Sequence, residues 1–343
     1  MTSHSNRSIA FWLLAVAVLV FAMVVVGGVT RLTRSGLSIV EWNPVTGAIP
    51  PLTENQWQSE FDKYKQTPEY RHINAGMSLE AFQRIFYVEW AHRLLGRLLG
   101  FIFFLPLVYF IARRRIQRAL IPKLIGIFIL GGLQGALGWF MVKSGLVDIP
   151  RVSPYRLTAH LVMAVAIYGL LLWTAFGLLY PTSASIRKSL RRYGWGVTAL
   201  IVVAIVAGGF VAGNKAGFAF NTWPLMQDRV FPEGMLALSP WWTNLFENIA
   251  TVQFDHRLLA YGVVLAALLY WWRLRHERLP ARARIAANIL PIAALLQVAL
   301  GITTLLLAVP TPLGAAHQAG ALVVLTVSLY LNHALRAPRL SKR

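Results

Sequence analysis

Glu89-Trp90-Ala91-His92-Arg93-Leu94-Leu95 and Gln253-Phe254-Asp255-His256-Arg257-Leu258-Leu259 are two versions of one short sequence, and each opens a long apolar run. About 20 apolar residues cross a hydrocarbon core of about 30 Å as a helix. Eight runs reach that length, at roughly 9–29, 90–111, 119–142, 157–179, 194–213, 254–272, 285–309 and 314–334. Further matched pieces flank the heptapeptides in the same order. Val25-Val26-Gly27-Gly28-Val29 with Trp42-Asn43-Pro44 resembles Val206-Ala207-Gly208-Gly209-Phe210 with Trp223-Pro224. Leu133-Gln134-Gly135-Ala136-Leu137-Gly138 resembles Leu296-Gln297-Val298-Ala299-Leu300-Gly301, and Thr158-Ala159-His160 resembles Ala315-Ala316-His317. The chain therefore reads as a duplication, with halves 1–180 and 181–343. Four spans per half make both halves enter the membrane in the same direction, so an axis along the membrane normal relates them. The expected fold is an all-α membrane protein: eight transmembrane helices as two tandem four-helix bundles about a pseudo-two-fold.

Composition agrees with a membrane protein. The chain is 57% hydrophobic and only 13% charged, with a mean hydropathy of +0.56, whereas a soluble domain is about a quarter charged. The net charge of +20 would suit nucleic acid, but its placement excludes that partner. Arg113, Arg114, Arg115, Arg118 and Lys123 fill the second connection; Arg187, Lys188, Arg191 and Arg192 the fourth; Arg273, Arg275, Arg278, Arg282 and Arg284 the sixth. Arg336, Arg339, Lys342 and Arg343 form the tail, while every acidic residue except Glu277 lies on the opposite side. This is the positive-inside pattern of a cell inner membrane protein with both termini cytoplasmic, or on the matrix side of an organelle. Cysteine is absent, which excludes disulfides, thiolate metal sites and a Cys nucleophile. The first run is not taken as a signal peptide. No small-residue cleavage site follows it, and its pattern recurs inside the chain.

The outer connection 30–88 reads as the one long loop, a lid on the outer surface. Thr53 and Gln56 fit a capping box, and Trp57, Phe61 and Tyr64 form a helical stripe. Ser78 and Glu80 mark a second helix start, with Phe82, Ile85 and Phe86 on one face leading into the second span.

Four of the eight histidines are repeat-matched: His92, His160, His256 and His317. Each lies near the start of an even-numbered span, so all four share one depth near the outer face. Second and fourth helices of an up-and-down bundle are diagonal and parallel, and a His on each can face one haem iron. Gly96, Ala164, Ala260 and Ala321 follow the histidines by four residues, on the same face, and leave room for a porphyrin edge. A single interfacial His is usually just hydrogen-bonded, and small residues every fourth position also serve ordinary helix packing. Two matched pairs at equal depth favour ligation. His4, His72, His276 and His333 have no repeat partner and are read as solvated or interfacial.

Glu89 stands one turn before His92, where the other half carries Gln253, so the halves differ in ionisable character beside the ligand. The alternative is an i,i+4 pair with Arg93, a surface device of a few tenths of a kcal/mol. Arg93 and Arg257 follow the ligands and are candidate partners for haem propionates, as is Arg97 one turn deeper. Gln134 and Gln297 are read as interhelical hydrogen-bonding amides.

Gly27 to Ser38, of pattern Gly-Gly-x-Thr-Arg-Leu-Thr-x-Ser-Gly-Leu-Ser, followed by Glu41-Trp42-Asn43-Pro44, resembles the haem A synthase family. Tyr64-Lys65-x-Thr67-Pro68-Glu69-Tyr70, Glu89-Trp90-Ala91-His92-Arg93 and Asn221-Thr222-Trp223-Pro224-Leu225-Met226 extend the resemblance over nearly the whole chain. It implies oxidation of the C8 methyl of haem O to the formyl group of haem A. It assigns His92 and His160 to the substrate haem, His256 and His317 to a resident haem b, and Glu89 to the essential acid of the reaction. The implied partners are membrane lipid, an electron donor (ferredoxin-like or quinol), haem O synthase and cytochrome oxidase assembly factors, with a homo-oligomer left open. Lacking the cysteine pairs of some bacterial members, the chain resembles the cysteine-free branch. Read from residues alone, the histidines also fit a duplicated di-haem electron-transfer cytochrome, or a haem carrier or exporter.

Overall fold

A computed structural model describes residues 3–43, 46–145, 152–180 and 186–336 of the chain. Pro44, Asp148, the 181 side of the proposed boundary, Arg339, Lys342, Arg343 and the His4 side chain lie outside the described residues.

The described residues are helical, without strands. Eight helices are long and apolar enough to span a membrane: α1 (Ser3–Leu32), α4 (Leu79–Ala112), α5 (Ile121–Gly145), α6 (Pro154–Leu179), α7 (Lys188–Gly213), α9 (Ile249–Leu274), α10 (Ala281–Leu306) and α11 (Thr311–Ala334). Helices satisfy every backbone N–H and C=O internally, which hydrocarbon demands. Three short helices lie between them: α2 (Glu54–Lys65), α3 (Pro68–His72) and α8 (Asn244–Glu247).

The expected capping box opens α2: the Thr53 hydroxyl accepts from the Gln56 amide, and the Gln56 side chain accepts from the Thr53 amide. Ser78 caps α4 by accepting from the Ala81 amide. With 34 residues, α4 is about 50 Å long at 1.5 Å per residue. It therefore projects well beyond a bilayer core. Trp57, Phe61 and Tyr64 of α2 pack there against Phe82 and Phe86 of α4, in an aromatic cluster separate from the main core.

Within the first half, α1 packs on α4 and α6, and α5 packs on the same two helices. In the second half, α7 and α10 both pack on α9 and α11. Between halves, α1 meets α11, α6 meets α7, and α6 meets α11. Polar ties cross this seam: Gln318 Nε2 donates to the Val24 carbonyl at 3.0 Å, and Arg31 Nη2 donates to that of Ala212 at 2.7 Å.

Two expectations need correction. The 30–88 connection is not the one long loop, because Asn214 to Asn248 forms a second long connection holding only short helical turns and α8. Its Trp241 and Trp242 are exposed. His333, expected at the surface, is fully buried. It continues the buried face of Leu322, Leu325 and Leu329 on α11, edge-on to Trp173 at 5.1 Å, with Nε2 2.6 Å from Arg336 Nη1. His72 and His276 are exposed, as expected.

Candidate functional site

The four matched histidines occupy α4, α6, α9 and α11, each toward the N-terminal part of its helix. In the second half the His256 and His317 rings are 6.3 Å apart between centroids and perpendicular, at 89°. Two metal–imidazole bonds of about 2 Å, plus the reach from each ring nitrogen to its ring centre, span roughly 6 Å. The pair is thus spaced for one metal between two imidazoles. No group of three or more His, Asp or Glu suited to a metal occurs among the described residues. A two-imidazole donor set is that of a haem with two axial histidines rather than of a closed zinc site.

Each imidazole lies against a repeat-matched glycine of a neighbouring helix. A Cβ on Gly27 would stand 3.2 Å from His92 Nε2, and one on Gly208 would stand 3.1 Å from His256 Cε1. The equivalent distances are 3.0 Å from Gly138 to His160 and 2.7 Å from Gly301 to His317. Methyl groups there would push the rings away. The small residues that seat the rings are therefore on α1, α5, α7 and α10, not only those four positions along the histidine helices. The sequence repeat already contained this signal, because all four glycines lie in the matched segments.

The halves differ in how their rings are held. His256 Nδ1 is 3.1 Å from the Ala204 carbonyl, and His317 Nδ1 is 3.1 Å from Gln297 Nε2, which also donates to the His317 carbonyl at 2.7 Å. His256 Nδ1 can donate to the Ala204 carbonyl, which leaves its Nε2 lone pair free for a metal, whereas His317 Nδ1 faces an amide donor and accepts from it. In the first half, Gln134 Nε2 keeps the matched bond to the His160 carbonyl at 3.0 Å. The His160 Nδ1 atom, although buried, has no protein partner.

Glu89 is buried and Arg93 partly so, and their side chains meet, Nη2 to Oε1, at 2.7 Å. This is the i,i+4 pair, but it does not stand alone. Glu89 Oε2 accepts from the Ser38 amide at 2.8 Å, the Ser38 hydroxyl at 2.7 Å and the Ile39 amide at 2.9 Å. Oε1 takes Arg93 Nη2 and also Nε, at 3.1 Å. The carboxylate thus pins the outer segment after α1 onto the helix that carries His92. Arg93 adds bonds to the carbonyls of Ile39 and Glu41, and its guanidinium covers the Trp42 ring at 5.3 Å. Arg97 Nη2 donates to the Asn43 carbonyl at 2.8 Å. Of the five N–H groups of Arg93, only one, on Nη1, is left by these contacts.

The second half repeats the arrangement with polarity reversed. Gln253 Nε2 donates to the Ala216 carbonyl at 2.7 Å, and its Oε1 accepts from Arg257 Nη2 at 2.9 Å. Arg257 Nη2 also donates to the Phe220 carbonyl at 2.8 Å, and Nε, although buried, has no partner. Trp223, the counterpart of Trp42, donates to Tyr261 Oη on α9 at 2.8 Å. A carboxylate faces loop amides in one half; an amide faces a loop carbonyl in the other. Sequence reading found the Glu89/Gln253 difference but missed Ser38 and Ile39, whose contribution is main-chain geometry.

Residues 10–329 match the COX15-CtaA family, described as cytochrome oxidase assembly protein. A protein of Parvibaculum lavamentivorans named haem A synthase is 51% identical over 334 residues, covering 97% of this chain and 96% of its own. Its namesake in Nitrosospira multiformis is also 51% identical, over 96% of this chain and 94% of its own. A third, from Nitrosomonas eutropha, is 49% identical over 335 residues. The chain belongs to the haem A synthase family. The family's matched region takes in all four histidines, both long connections and both heptapeptides.

Proposed function

We propose that this chain is a haem A synthase, an oxidoreductase that converts the C8 methyl of haem O to the formyl group of haem A for terminal oxidases. The first half takes the substrate haem at His92 and His160. The second half holds haem b as a resident cofactor at His256 and His317. The two halves are related by a pseudo-two-fold along the membrane normal, a reading supported by the exchange-symmetric pairing of α1 with α11 and α7 with α6.

One observation carries the division of labour. Both rings of the second pair have Nδ1 engaged by protein, while no hydrogen bond holds the rings of His92 or His160 among the described residues. A ring N–H that donates outward, as His256 Nδ1 does to the Ala204 carbonyl, fixes ligand orientation and strengthens metal affinity, and the Gln297 amide holds the His317 ring in place, which suits a permanent cofactor. A ring without them suits a haem that must arrive and leave.

Haem b, when bound, supplies one-electron redox chemistry. The chain's own residues do the rest. Gly208 and Gly301 seat its ligands, and Arg257, with its unpartnered Nε, is the propionate donor of that half. Glu89 ties the 33–43 segment to the helix that carries His92, and it holds Arg93, which keeps one N–H beyond its protein contacts. That makes Glu89 the positioning acid of the oxidation, with Arg93 and Arg97 the candidate propionate contacts. Membrane lipid, an electron donor of ferredoxin or quinol type, haem O synthase and oxidase assembly factors are the proposed partners. The proposed location is a cell inner membrane, with cytoplasmic termini and the haem sites near the outer face.

The test is co-expression with a haem O supply, followed by extraction and identification of porphyrins. Haem b together with haem O or haem A supports the synthase. Haem b alone, at two per chain, would make the protein an electron-transfer cytochrome, and reversible loss of all haem would make it a carrier.

A further inference from the structure

The end of the molecule opposite the histidines holds a cavity of about 240 Å³ where α6, α7 and α11 converge. Lys188, Arg191 and Arg192 of the first turns of α7 line it, with Arg336 just past the end of α11. Trp173 of α6 and Trp195 of α7 form its wall, their rings 5.2 Å apart. Arg336 is held by the Tyr180 carbonyl at 2.7 Å and by His333. Trp173 lies 13 residues beyond His160 on α6, about 20 Å along the helix axis, so this cavity is not part of the haem sites.

Three cations of α7 meet Arg336 here. Among the described residues, Lys188, Arg191 and Arg192 form no ion pair. The contrast is one residue away. Arg187 lines a second cavity on the other side of α7, and there Glu277 answers it at 3.0 Å. Among the described residues, the chain's own acid answers Arg187 in one basic hollow, while no ion pair answers Lys188, Arg191 or Arg192 in the other.

The surroundings indicate what could answer them. Trp195 is 48% exposed, and Gly196, Ala199 and Val203 continue its outward face along α7. Gly196 has no heavy atom within 4 Å of where a Cβ would stand, so this lane is shallow and open. Tryptophan pairs belong at the level where acyl chains meet headgroups. Basic hollows between helix ends on the cytoplasmic side are suited to anionic lipid headgroups. A phosphate in the cavity with an acyl chain along Trp195, Gly196 and Val203 meets both features; a free anion would use only the first.

We propose that this cavity is a binding site for an anionic glycerophospholipid of the inner leaflet, seated across the junction between the two halves. Its phosphate is received by Lys188, Arg191, Arg192 and Arg336, and its glycerol region by the indoles of Trp173 and Trp195. Because α6 belongs to the first half and α7 and α11 to the second, the lipid ties the halves together at the end remote from the haems.

Native mass spectrometry of the purified full chain, exchanged into phosphatidylglycerol or phosphatidylcholine, tests this. Wild type is expected to retain phosphatidylglycerol through delipidation and to lose phosphatidylcholine. Arg191→Gln/Arg192→Gln is expected to bind phosphatidylglycerol roughly thirtyfold more weakly, since two cations near the lipid are removed. Arg273→Gln/Arg275→Gln, at the end of α9 outside the cavity, serves as the charge-matched control and is expected to bind as wild type does. Helical circular dichroism and haem content check that the variants fold, and Arg192→Gln alone gives a milder version should the double variant fail. Equal retention of both lipids, or equal loss in the two double variants, would overturn the proposal. Displacement of the lipid by millimolar inorganic phosphate would also overturn it, in favour of a free-anion site.

Discussion

Glu89 receives five hydrogen bonds, three of them from the outer segment and two from Arg93. Glu89→Gln replaces an acceptor with an NH2 group that must face either Arg93 or the amides of Ser38 and Ile39, all donors. Removing one partner of a buried charged pair costs about 3–5 kcal/mol, far more than an exposed i,i+4 pair. We expect the variant to keep haem b, since His256 and His317 are untouched, and to lose most conversion to haem A. Ser38→Ala separates positioning from direct chemistry: it removes one donor and leaves the carboxylate. Positioning requires conversion to fall several-fold in Ser38→Ala, measured from extracted haems, whereas unchanged conversion would mean that Glu89 acts without the loop. The glycines give a second residue-scale outcome. Gly301→Ala forces His317 to move and should abolish or spectrally shift bound haem b, as should His317→Ala or His256→Ala. Gly135→Ala, one turn from Gly138 and with nothing within 4 Å, should be silent. A normal b-type spectrum in Gly301→Ala would remove the ring-seating role.

At the scale of elements, the outer cover of the first half is an aromatic cluster on the projecting end of α4, with Glu69 of α3 buried beneath it. Burial raises the Glu69 carboxyl above its usual value, with Lys215 and Arg34 opposing the shift. A carboxyl raised in the folded state binds its proton more tightly there, so its contribution favours the docked lid below the ordinary value near 4.5 and is lost as pH rises through the raised one. Hydrogen exchange across 54–78 should therefore quicken as pH rises through that window, beyond the intrinsic pH effect. Glu69→Gln should remove the extra dependence, and an unchanged profile in that variant would show that Glu69 does not set it. These elements were readable in part. The Thr53 capping box and the Trp57, Phe61, Tyr64 stripe follow from spacing, because caps and helical faces are local. The 214–248 segment was not readable as a second structured connection, because short helical turns carry no period.

At the scale of the whole molecule, the eight spans follow from apolar length, and the proposed duplication and four-histidine assignment rest on repeated motifs, both written along the chain. The glycine seats, the Ser38 and Ile39 amides on Glu89 and the burial of His333 did not, because each depends on which helices become neighbours. The proposed orientation, with the Arg187–Arg192 end inside and the 30–88 segment outside, rests on the positive-inside bias. A reporter fused after residue 343 is expected to be active only in the cytoplasm; activity only on the outer side would reverse the assignment. The central claim, that one chain joins a resident haem b half to a substrate haem half and oxidises the substrate methyl, has a direct test. The chain is expressed in a host that makes haem O but no haem A, and the protein-bound and membrane porphyrins are extracted and identified. Haem b with newly formed haem A, the latter lost in Glu89→Gln while haem b remains, is the expected result. Two haem b per chain with no haem A from the wild-type protein would contradict it.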